Sequence, residues 1–383
     1  MKPLAGLKVL ELARILAGPW CGQVLADLGA EVIKIERPKT GDDTRTWGPP
    51  FVTDATGKSW GAAYFHAANR GKSSVAISFE TPEGQAAIRQ LASEADILIE
   101  NFKVGGLKKY GLDYESLKAV NPRLIYASIT GFGQTGPYAA RAGYDYIIQG
   151  MSGLMDITGE PKREPQKVGV AVVDIFTGVY TSTAILAAVH GRETSGKGCH
   201  IDMSLFDTAT SILANQASNY LVSGKSPTRL GNAHPNIAPY QVFKVSDGHI
   251  IVAVGNDAQF QKFCTALGAS DIASNPDYAT NAQRVGVRLS LQAELEPYLA
   301  QRTRADWLAA LETAGVPAGP INRIEDVFSD PQIIHRGMRL ELTAADGSKV
   351  AGVASPIVIN GERMSAASPS PMLGSGQAQW TSK

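Results

Sequence analysis

The first forty residues form a pattern of strand, helix and strand, and this order limits the folds that the chain can adopt. Residues 8–12 and 31–36 are short apolar runs typical of strands, and residues 20–28 between them have apolar side chains at helical spacing. Pro19 is expected at the first helical position and Gly29 just past the last one. Two strands joined by one helix lie parallel, because the helix returns the chain to the same end of the sheet. This pattern predicts a fold of the α/β class.

The alternation continues as far as about residue 200. Residues 82–95 are predicted to form a helix, and residues 96–100 and 124–129 to form strands. This spacing is typical of a parallel, doubly wound sheet with helices between its strands. We therefore predict a large Rossmann-like domain over residues 1–222.

A smaller α/β domain is predicted over residues 223–322, after a helical stretch at 203–220 and a linker at 223–228. Residues 241–245 and 249–255 are predicted strands joined by a turn, and helical segments follow as far as Ala314. We expect residues 323–383 to return to the large domain and pack on it.

Composition excludes several classes of partner. The 383 residues include 36 Lys and Arg and 36 Asp and Glu, so no net charge attracts a nucleic acid or a membrane. Cys21, Cys199 and Cys264 are too few and too far apart for a disulfide framework, and none has metal-site spacing. We find no signal peptide and no uninterrupted run of eighteen apolar residues. We expect a cytoplasmic protein with no metal site.

The turn after the first strand does not fit a dinucleotide site. It contains one glycine, Gly18, followed by Pro19, where the fingerprint of such sites requires three glycines. Without the second glycine the backbone cannot approach a pyrophosphate closely. A nicotinamide or flavin cofactor is therefore not expected.

Asp174 is the most informative residue for function, because it is a single carboxylate within the apolar and small residues 168–178. Burying an unpaired carboxylate costs several kcal/mol or raises its pKa. Two interpretations follow. Asp174 either caps the start of a helix by accepting backbone N–H bonds, or it performs chemistry in a pocket.

Basic residues collect at the ends of the predicted strands and in the loops that follow them. In an open α/β sheet, ligands bind outside the carboxyl ends of the strands, so these cations are expected to converge on a phosphorylated ligand. Each of them taken singly is also compatible with a solvated surface charge. They are Arg37, Arg45, Arg70, Lys72, Lys103, Lys108 and Lys109.

Seven runs of the sequence resemble the class III (CaiB/BaiF) CoA-transferases, the family of the formyl-CoA and carnitine-CoA transferases. The likeness extends over nearly the whole chain, and the run 41–51 most resembles the branch that moves CoA from succinyl-CoA onto dicarboxylic acids. The runs lie at residues 6–12, 17–19, 28–38, 41–45, 100–102, 130–137 and 141–145.

This resemblance implies a mechanism, a dimer and a set of CoA contacts. Asp174 matches the covalent nucleophile of the family, which forms a mixed anhydride and then an aspartyl-CoA thioester. The relatives are interlocked homodimers, and CoA and acyl-CoA are substrates rather than prosthetic groups. The implied CoA contacts are Arg14, Ala17, Arg37, Arg70, Lys72, Asn101, Lys109, Tyr144 and Asp145.

The resemblance also implies residues around the acyl group, and two of them have a structural alternative. Leu16 replaces a glutamine of other relatives and makes the pocket larger or more apolar. Trp47 either forms a wall of the acyl pocket or belongs to the core. Gly255 lies in a loop, 254–259, that covers the aspartate in relatives, although a plain strand-to-helix turn explains it equally well.

The second carboxylate of a dicarboxylic acid requires a cation, and Arg45 is the candidate because arginine pairs bidentately with carboxylates. The alternative is that Arg45 forms a structural pair with Asp42 or Asp43.

Two rival functions remain open from the sequence. The α-methylacyl-CoA racemases share the family likeness but need an acid and a base tuned near neutral pH, and they carry a histidine where this chain has Tyr144. A non-catalytic acyl-CoA binding protein has no need of Asp174. We therefore favour CoA transfer to a short dicarboxylic acid, with succinyl-CoA as donor and no nucleic acid or membrane as partner.

Overall fold

The computed structural model describes residues 2–381 and divides them into two compact units. The first unit contains the residues up to Ser152, Val168–Leu213 and those from Asp330 onward, and the second contains Gly153–Lys167 and Ala214–Ser329. The strands are β1 Lys8–Glu11, β2 Glu31–Glu36, β3 Phe51–Thr53, β4 Ser59–Ala62, β5 Lys72–Ala76, β6 Ile97–Glu100, β7 Ile125–Thr130, β8 His200–Ser204, β9 Tyr240–Val245, β10 Gly248–Ala253, β11 Ala318–Pro320, β12 Arg339–Thr343, β13 Lys349–Val353, β14 Val358–Ile359 and β15 Glu362–Arg363.

The helices are shared between the units, with α8 to α14 in the second and the others in the first. Three short 3₁₀ helices also occur, at Asp43–Thr46, Lys108–Tyr110 and Pro276–Tyr278. The α-helices are α1 Ala17–Asp27, α2 Ala63–His66, α3 Pro82–Glu94, α4 Tyr114–Lys118, α5 Asp145–Met151, α6 Val172–Ser195, α7 Leu205–Ser211, α8 Ala214–Ser223, α9 Asp257–Leu267, α10 Ser270–Ser274, α11 Asn281–Gly286, α12 Arg288–Leu299, α13 Arg304–Ala314, α14 Ile324–Ser329 and α15 Pro331–His335.

A six-stranded sheet organises the first unit. Its order is β5-β2-β1-β6-β7-β8, and every pair of neighbours is parallel. Numbered within the sheet, this is the 3-2-1-4-5-6 order of doubly wound nucleotide-binding folds. The prediction of a parallel α/β sheet is confirmed. The order reverses between β1 and β6, and in such sheets ligands bind at this reversal.

The predicted elements of the sheet agree closely with the observed ones, with one error at helix α1. The helix begins at Ala17 rather than at residue 20, so Pro19 is its third residue and not its first. Leu16 precedes the helix with a backbone unlike that of a standard cap, and no side chain caps the helix. Gly29 follows it with φ +105°, a conformation that glycine adopts without strain.

Two strands of the sheet, β5 and β8, were not predicted. Both are short and carry polar residues, as in Lys72-Ser-Ser-Val-Ala and His200-Ile-Asp-Met-Ser. Neither shows the apolar pattern that indicates a strand. Consequently Lys72, expected in a loop, lies in a strand and is buried.

The predicted helix at 203–220 is also wrong, because the segment contains three elements. Met203 belongs to β8, α7 ends at Ser211, and α8 begins at Ala214, whose φ of +46° breaks the helical path. The units therefore separate at 213/214 and 329/330, whereas the sequence suggested 222/223 and 322/323. Residues 153–167 belong to the second unit, although they lie within the predicted large domain.

The second unit contains an antiparallel sheet of order β11-β10-β9, with helices α9 to α13 beside it. Strands β9 and β10 form the predicted hairpin, and β11 is an additional strand. The core of this unit includes Phe243, Phe260 and Trp307, all nearly inaccessible to solvent.

The C-terminal segment belongs to the first unit. The Trp380 indole donates a hydrogen bond to Leu91 O at 3.1 Å, and the Gly374 N–H donates to Ser74 Oγ at 3.0 Å. These contacts attach the end of the chain to α3 and β5.

Helix α6, which carries Asp174 in its first turn, packs closely on α1. A Cβ atom on Gly178 would lie 2.7 Å from Ala17 O, so only glycine allows this separation of the helices. By length and composition alone α6 could cross a membrane, a test that core helices of soluble proteins also pass. Here it belongs to the first unit, with Asp174 in its first turn and Arg192 in its last.

Candidate active site

An open cavity of about 560 Å³ lies where the sheet order reverses, within the usual size range of small-molecule sites. Its walls come mainly from the loops after β1, β2, β6 and β7, and from the first turn of α6. Eight of the predicted site residues line it, namely Arg14, Leu16, Ala17, Arg37, Asn101, Lys109, Tyr144 and Asp174.

Two loops meet at the floor of this cavity through reciprocal hydrogen bonds. The Arg14 N–H donates to Asn101 Oδ1 at 2.8 Å, and Asn101 Nδ2 donates to Arg14 O at 2.6 Å. The next residue, Ile15, has φ +71°, which is strained for a β-branched residue and costs about 1–3 kcal/mol. Asp42 holds this conformation by accepting the Ile15 N–H at 3.2 Å. The turn is therefore rigid without the glycines of a dinucleotide site.

Asp174 is the third residue of α6, so it does not cap the helix. Among residues 2–381 no hydrogen bond or ion pair engages its carboxylate, which faces the cavity. Burial, and then the nearby Asp145 carboxylate, raise the pKa of Asp174 to about 7. The helix N-terminus opposes both effects because it favours an anion. A carboxylate with few stabilising partners is a stronger nucleophile than a solvated one.

Cations surround the outer part of the cavity. Arg14 and Arg37 both pair with Asp43, at 2.6 and 2.8 Å, and this shared partner holds the two guanidinium groups near each other. Lys103 and Lys109 extend from the loop after β6. Arg141 lies over the rings of Tyr138 and Phe132, with its Cζ 4.5 and 5.5 Å from their centroids. This arrangement suits a ligand that carries several phosphates.

Comparison with known proteins identifies the family. Residues 4–377 match the family described as CoA-transferase family III. The chain belongs to this family. A succinate–glutarate CoA-transferase of Agrobacterium fabrum is 56% identical over 377 residues, covering 98% of this chain and 94% of that protein. Human succinyl-CoA:glutarate CoA-transferase is 42% identical over 375 residues, covering 98% of this chain and 84% of that protein.

A solved structure agrees with this assignment. The crystal structure of a CaiB/BaiF family protein from Brucella suis is 60% identical and has a TM-score of 0.86. The match covers 97% of this chain and 96% of that one. The protein is thus a class III CoA-transferase, as its sequence motifs implied.

Arg45 of the transferase is committed to an internal ion pair, which corrects its assignment to a substrate carboxylate. Its Nε and Nη2 donate to the two oxygens of Glu36 at 2.8 and 2.7 Å. Its Cζ also lies 3.7 Å from the centroid of the Phe65 ring, and the side chain is buried. Arg45 does form a structural ion pair, as the alternative stated, but its partner is Glu36 rather than Asp42 or Asp43.

Arg70 and Lys72 likewise lie outside the cavity wall. Arg70 Nη2 pairs with Asp27 at 2.6 Å, and its Nη1 donates to Val353 O at 2.7 Å. Lys72 Nζ contacts Glu11 at 2.8 Å and Asn69 at 2.9 Å. Both side chains are buried with their charge balanced internally. They stabilise the fold and are not available to CoA.

The remaining predicted residues have other positions. Asp145 is buried beneath the first turn of α6 rather than in the cavity wall. Trp47 is partly exposed and packs edge-on against Tyr64, with ring centroids 5.4 Å apart. Gly255 belongs to the second unit, where its N–H donates to Gln259 Oε1 at 2.8 Å. This bond agrees with the plain strand-to-helix turn.

Sequence reasoning missed three residues near the site. Arg141 was quoted only as part of a motif, although it lines the cavity. Burial, followed by the Asp174 and Asp145 charges, raises the pKa of Tyr64 to about 12, so its hydroxyl lies within electrostatic range of the nucleophile candidate. Burial raises the pKa of Glu100 to about 7. Glu100 lies in a smaller neighbouring cavity of about 190 Å³.

Proposed function

We propose that this transferase moves CoA from succinyl-CoA to a short dicarboxylic acid through covalent intermediates on Asp174. The observation that carries the proposal is a half-buried carboxylate that has no partner among the described residues and lies in a cavity with cationic outer walls. The names of its relatives, a succinate–glutarate and a succinyl-CoA:glutarate transferase, support the donor and the class of acceptor.

The chemistry requires Asp174 to act first as a nucleophile and then as an electrophile. Its carboxylate first attacks the thioester carbonyl of succinyl-CoA, forming a mixed anhydride and releasing CoA thiolate. The thiolate then attacks the Asp174 carbonyl of the anhydride, which gives an aspartyl-CoA thioester and free succinate. The acceptor carboxylate repeats the two steps in reverse, so the thioester energy is retained.

The cavity walls have separate roles in these steps. The cations at its outer part, Arg37, Lys109 and Arg141, bind the phosphates of CoA, which places the thioester near α6. Leu16 and Ala17, nearly inaccessible to solvent, present an apolar surface beside the acyl group. An apolar wall excludes water, which would otherwise hydrolyse the anhydride.

A racemase function is not favoured by the cavity. Racemisation needs a general acid and base that titrate near neutral pH, and histidine is the usual choice. Among the described residues that line the cavity there is no histidine, and Tyr144 occupies the relevant position. Transfer between carboxylates needs no such pair.

The test is to mix the protein with succinyl-CoA and a panel of free dicarboxylic acids, and to measure new CoA thioesters by mass spectrometry. We expect glutaryl-CoA, or the thioester of a close homologue, to rise as succinyl-CoA falls in equal amount. The panel also includes mesaconate, malate and oxalate. Exchange with no acid, together with α-proton exchange on a branched acyl-CoA, would exclude the proposal in favour of a racemase.

We further propose that the functional protein is a homodimer. Apolar side chains of α5 and α6 are exposed on the single chain, among them Tyr146, Ile147, Phe176 and Tyr180. Exposed apolar groups concentrated on two helices are typical of a surface covered by a partner. We expect light scattering to give twice the chain mass at micromolar concentration. A stable monomer with full activity would contradict this proposal.

A further inference from the structure

The helix that carries Asp174 lacks a cap of its own. The residue before its first turn is Ala171, which has no side-chain acceptor. The acceptor comes instead from α5, where Asp145 Oδ2 receives the Val173 N–H at 2.8 Å and the Asp174 N–H at 3.2 Å. Asp145 therefore binds the backbone of the nucleophile candidate directly.

Asp145 is itself held in a single orientation. Gln149 Nε2 donates to Asp145 Oδ1 at 2.6 Å, and Gln149 Oε1 accepts the Val168 N–H at 2.9 Å. Gln149 is fully buried and Asp145 is nearly so. These bonds connect α5 to the segment before α6 and to the first turn of α6.

The Asp145 charge is balanced by N–H donors alone. Within residues 2–381 its carboxylate receives hydrogen bonds from Val173, Asp174 and Gln149, and no lysine, arginine or histidine pairs with it. Its negative charge therefore acts on the neighbouring Asp174 without a cation to screen it.

We propose that Asp145 is a positioning residue for the Asp174 nucleophile rather than a contact for CoA. It fixes the first turn of α6 so that the Asp174 carboxylate faces the cavity, and its charge keeps that carboxylate basic. This inference rests on the proposed function, because it assigns Asp145 a role in activating Asp174.

Two variants separate the cap from the charge. Asp145→Ala removes both. The double variant combines Asp145→Asn with Gln149→Glu, which exchanges the amide and the carboxylate between the two positions. The new amide can still accept the α6 N–H groups through its oxygen and donate to the new carboxylate, which can also accept the Val168 N–H. The negative charge then lies one side chain further from Asp174.

Asp330→Ala is the matched control for the loss of a cap. Asp330 caps α15 through two backbone N–H bonds, from Gln332 and Ile333, and it does not line the cavity. Its removal therefore costs a helix cap without changing the surroundings of Asp174.

The measurements are kcat, the KM for succinyl-CoA, the pH dependence of kcat/KM and the thermal midpoint. For the wild type we expect kcat/KM to fall below about pH 7, because only the ionised Asp174 attacks. We expect Asp145→Ala to lower kcat about 100-fold with little change in KM. In the double variant we expect kcat within about tenfold of the wild type and an acid limb at least about 0.5 pH unit lower.

The other charged groups of the cavity wall are the same in all variants, and so is Tyr64 on α2, on which the Asp174 charge acts. Those of the wall include Arg14, Lys34, Glu36, Glu80 and Arg141. A change of the acid limb in the double variant therefore reports the moved carboxylate. Titration of Asp174 by carbon-13 NMR gives the same shift without turnover, and Asp174→Asn identifies its resonance.

Three results would overturn the inference. An increase in KM with unchanged kcat in Asp145→Ala would show that Asp145 contacts CoA. If Asp330→Ala loses as much kcat as Asp145→Ala, the loss reflects general stability. If the pKa of Asp174 in the double variant equals that in the wild type, the Asp145 charge has no effect on Asp174. If the wild type transfers no CoA, the proposed function fails by itself, and the NMR titration still decides whether Asp145 controls Asp174.

Discussion

Replacing Asp174 by alanine is expected to abolish CoA transfer, with a loss of at least about 10⁴-fold in kcat, while succinyl-CoA still binds. The loss is large because the alanine side chain can form neither the anhydride nor the thioester. Binding is expected to persist because the proposed phosphate contacts, Arg37, Lys109 and Arg141, line the cavity and the substitution leaves them in place. Discontinuous assays of the CoA thioester product measure kcat, and isothermal titration calorimetry measures the affinity for CoA.

The matched control is Asp207→Ala. Asp207 is the third residue of α7, as Asp174 is of α6, but it is exposed to solvent and lies outside the cavity. The control should retain the wild-type kcat. Intact-mass spectrometry of the wild type with succinyl-CoA should also reveal a CoA adduct that hydroxylamine removes. Wild-type transfer by Asp174→Ala would exclude Asp174 as nucleophile, and a wild type that binds succinyl-CoA but transfers to no acid would indicate a non-catalytic binding protein.

Replacing Glu11 by glutamine is expected to reduce the free energy of unfolding by about 3–5 kcal/mol. Glu11 lies at the centre of the sheet, fully buried, where it pairs with Lys34 at 3.0 Å and with Lys72 at 2.8 Å. Glutamine has a similar shape but no charge, so it leaves two ammonium groups in the interior with too little negative charge around them. Urea denaturation measures the change.

A surface ion pair is the control for this substitution. Glu341 pairs with Lys349 at 2.6 Å, and both side chains are exposed. Glu341→Gln should change the free energy of unfolding by less than about 1 kcal/mol. A similarly small change in Glu11→Gln would mean that the network contributes little. If Glu11→Gln raises the KM for succinyl-CoA without a loss of stability, Lys72 contacts CoA as the resemblance implied.

Much of the fold follows from local sequence patterns. The strands β1, β2, β6 and β7 have apolar runs between helical segments, so their alternation with helices already predicts a parallel sheet. Strands β5 and β8 could not be found in this way. Both contain polar residues, and partners elsewhere in the sheet satisfy some of them, as Glu11 of β1 does for Lys72 of β5.

Asp174 could also be identified from the sequence. An isolated carboxylate in an apolar run must be capped, paired or used, and this holds whatever the fold. The structure excludes the cap, because Asp145 already accepts the N–H groups at the start of α6. Asp145 lies 29 residues away along the chain from Asp174, so no local pattern reveals this bond.

The amino-acid sequence by itself determined the α/β class, the family and the nucleophile candidate, since each depends on local order or on motifs. Only the tertiary structure decided which cations are available to a ligand. Arg70 pairs with Asp27, which lies 43 residues away along the chain, and Lys72 pairs with Glu11, which lies 61 residues away. A buried charged side chain with an internal partner is not free to bind substrate, and folding brings those partners from distant parts of the chain.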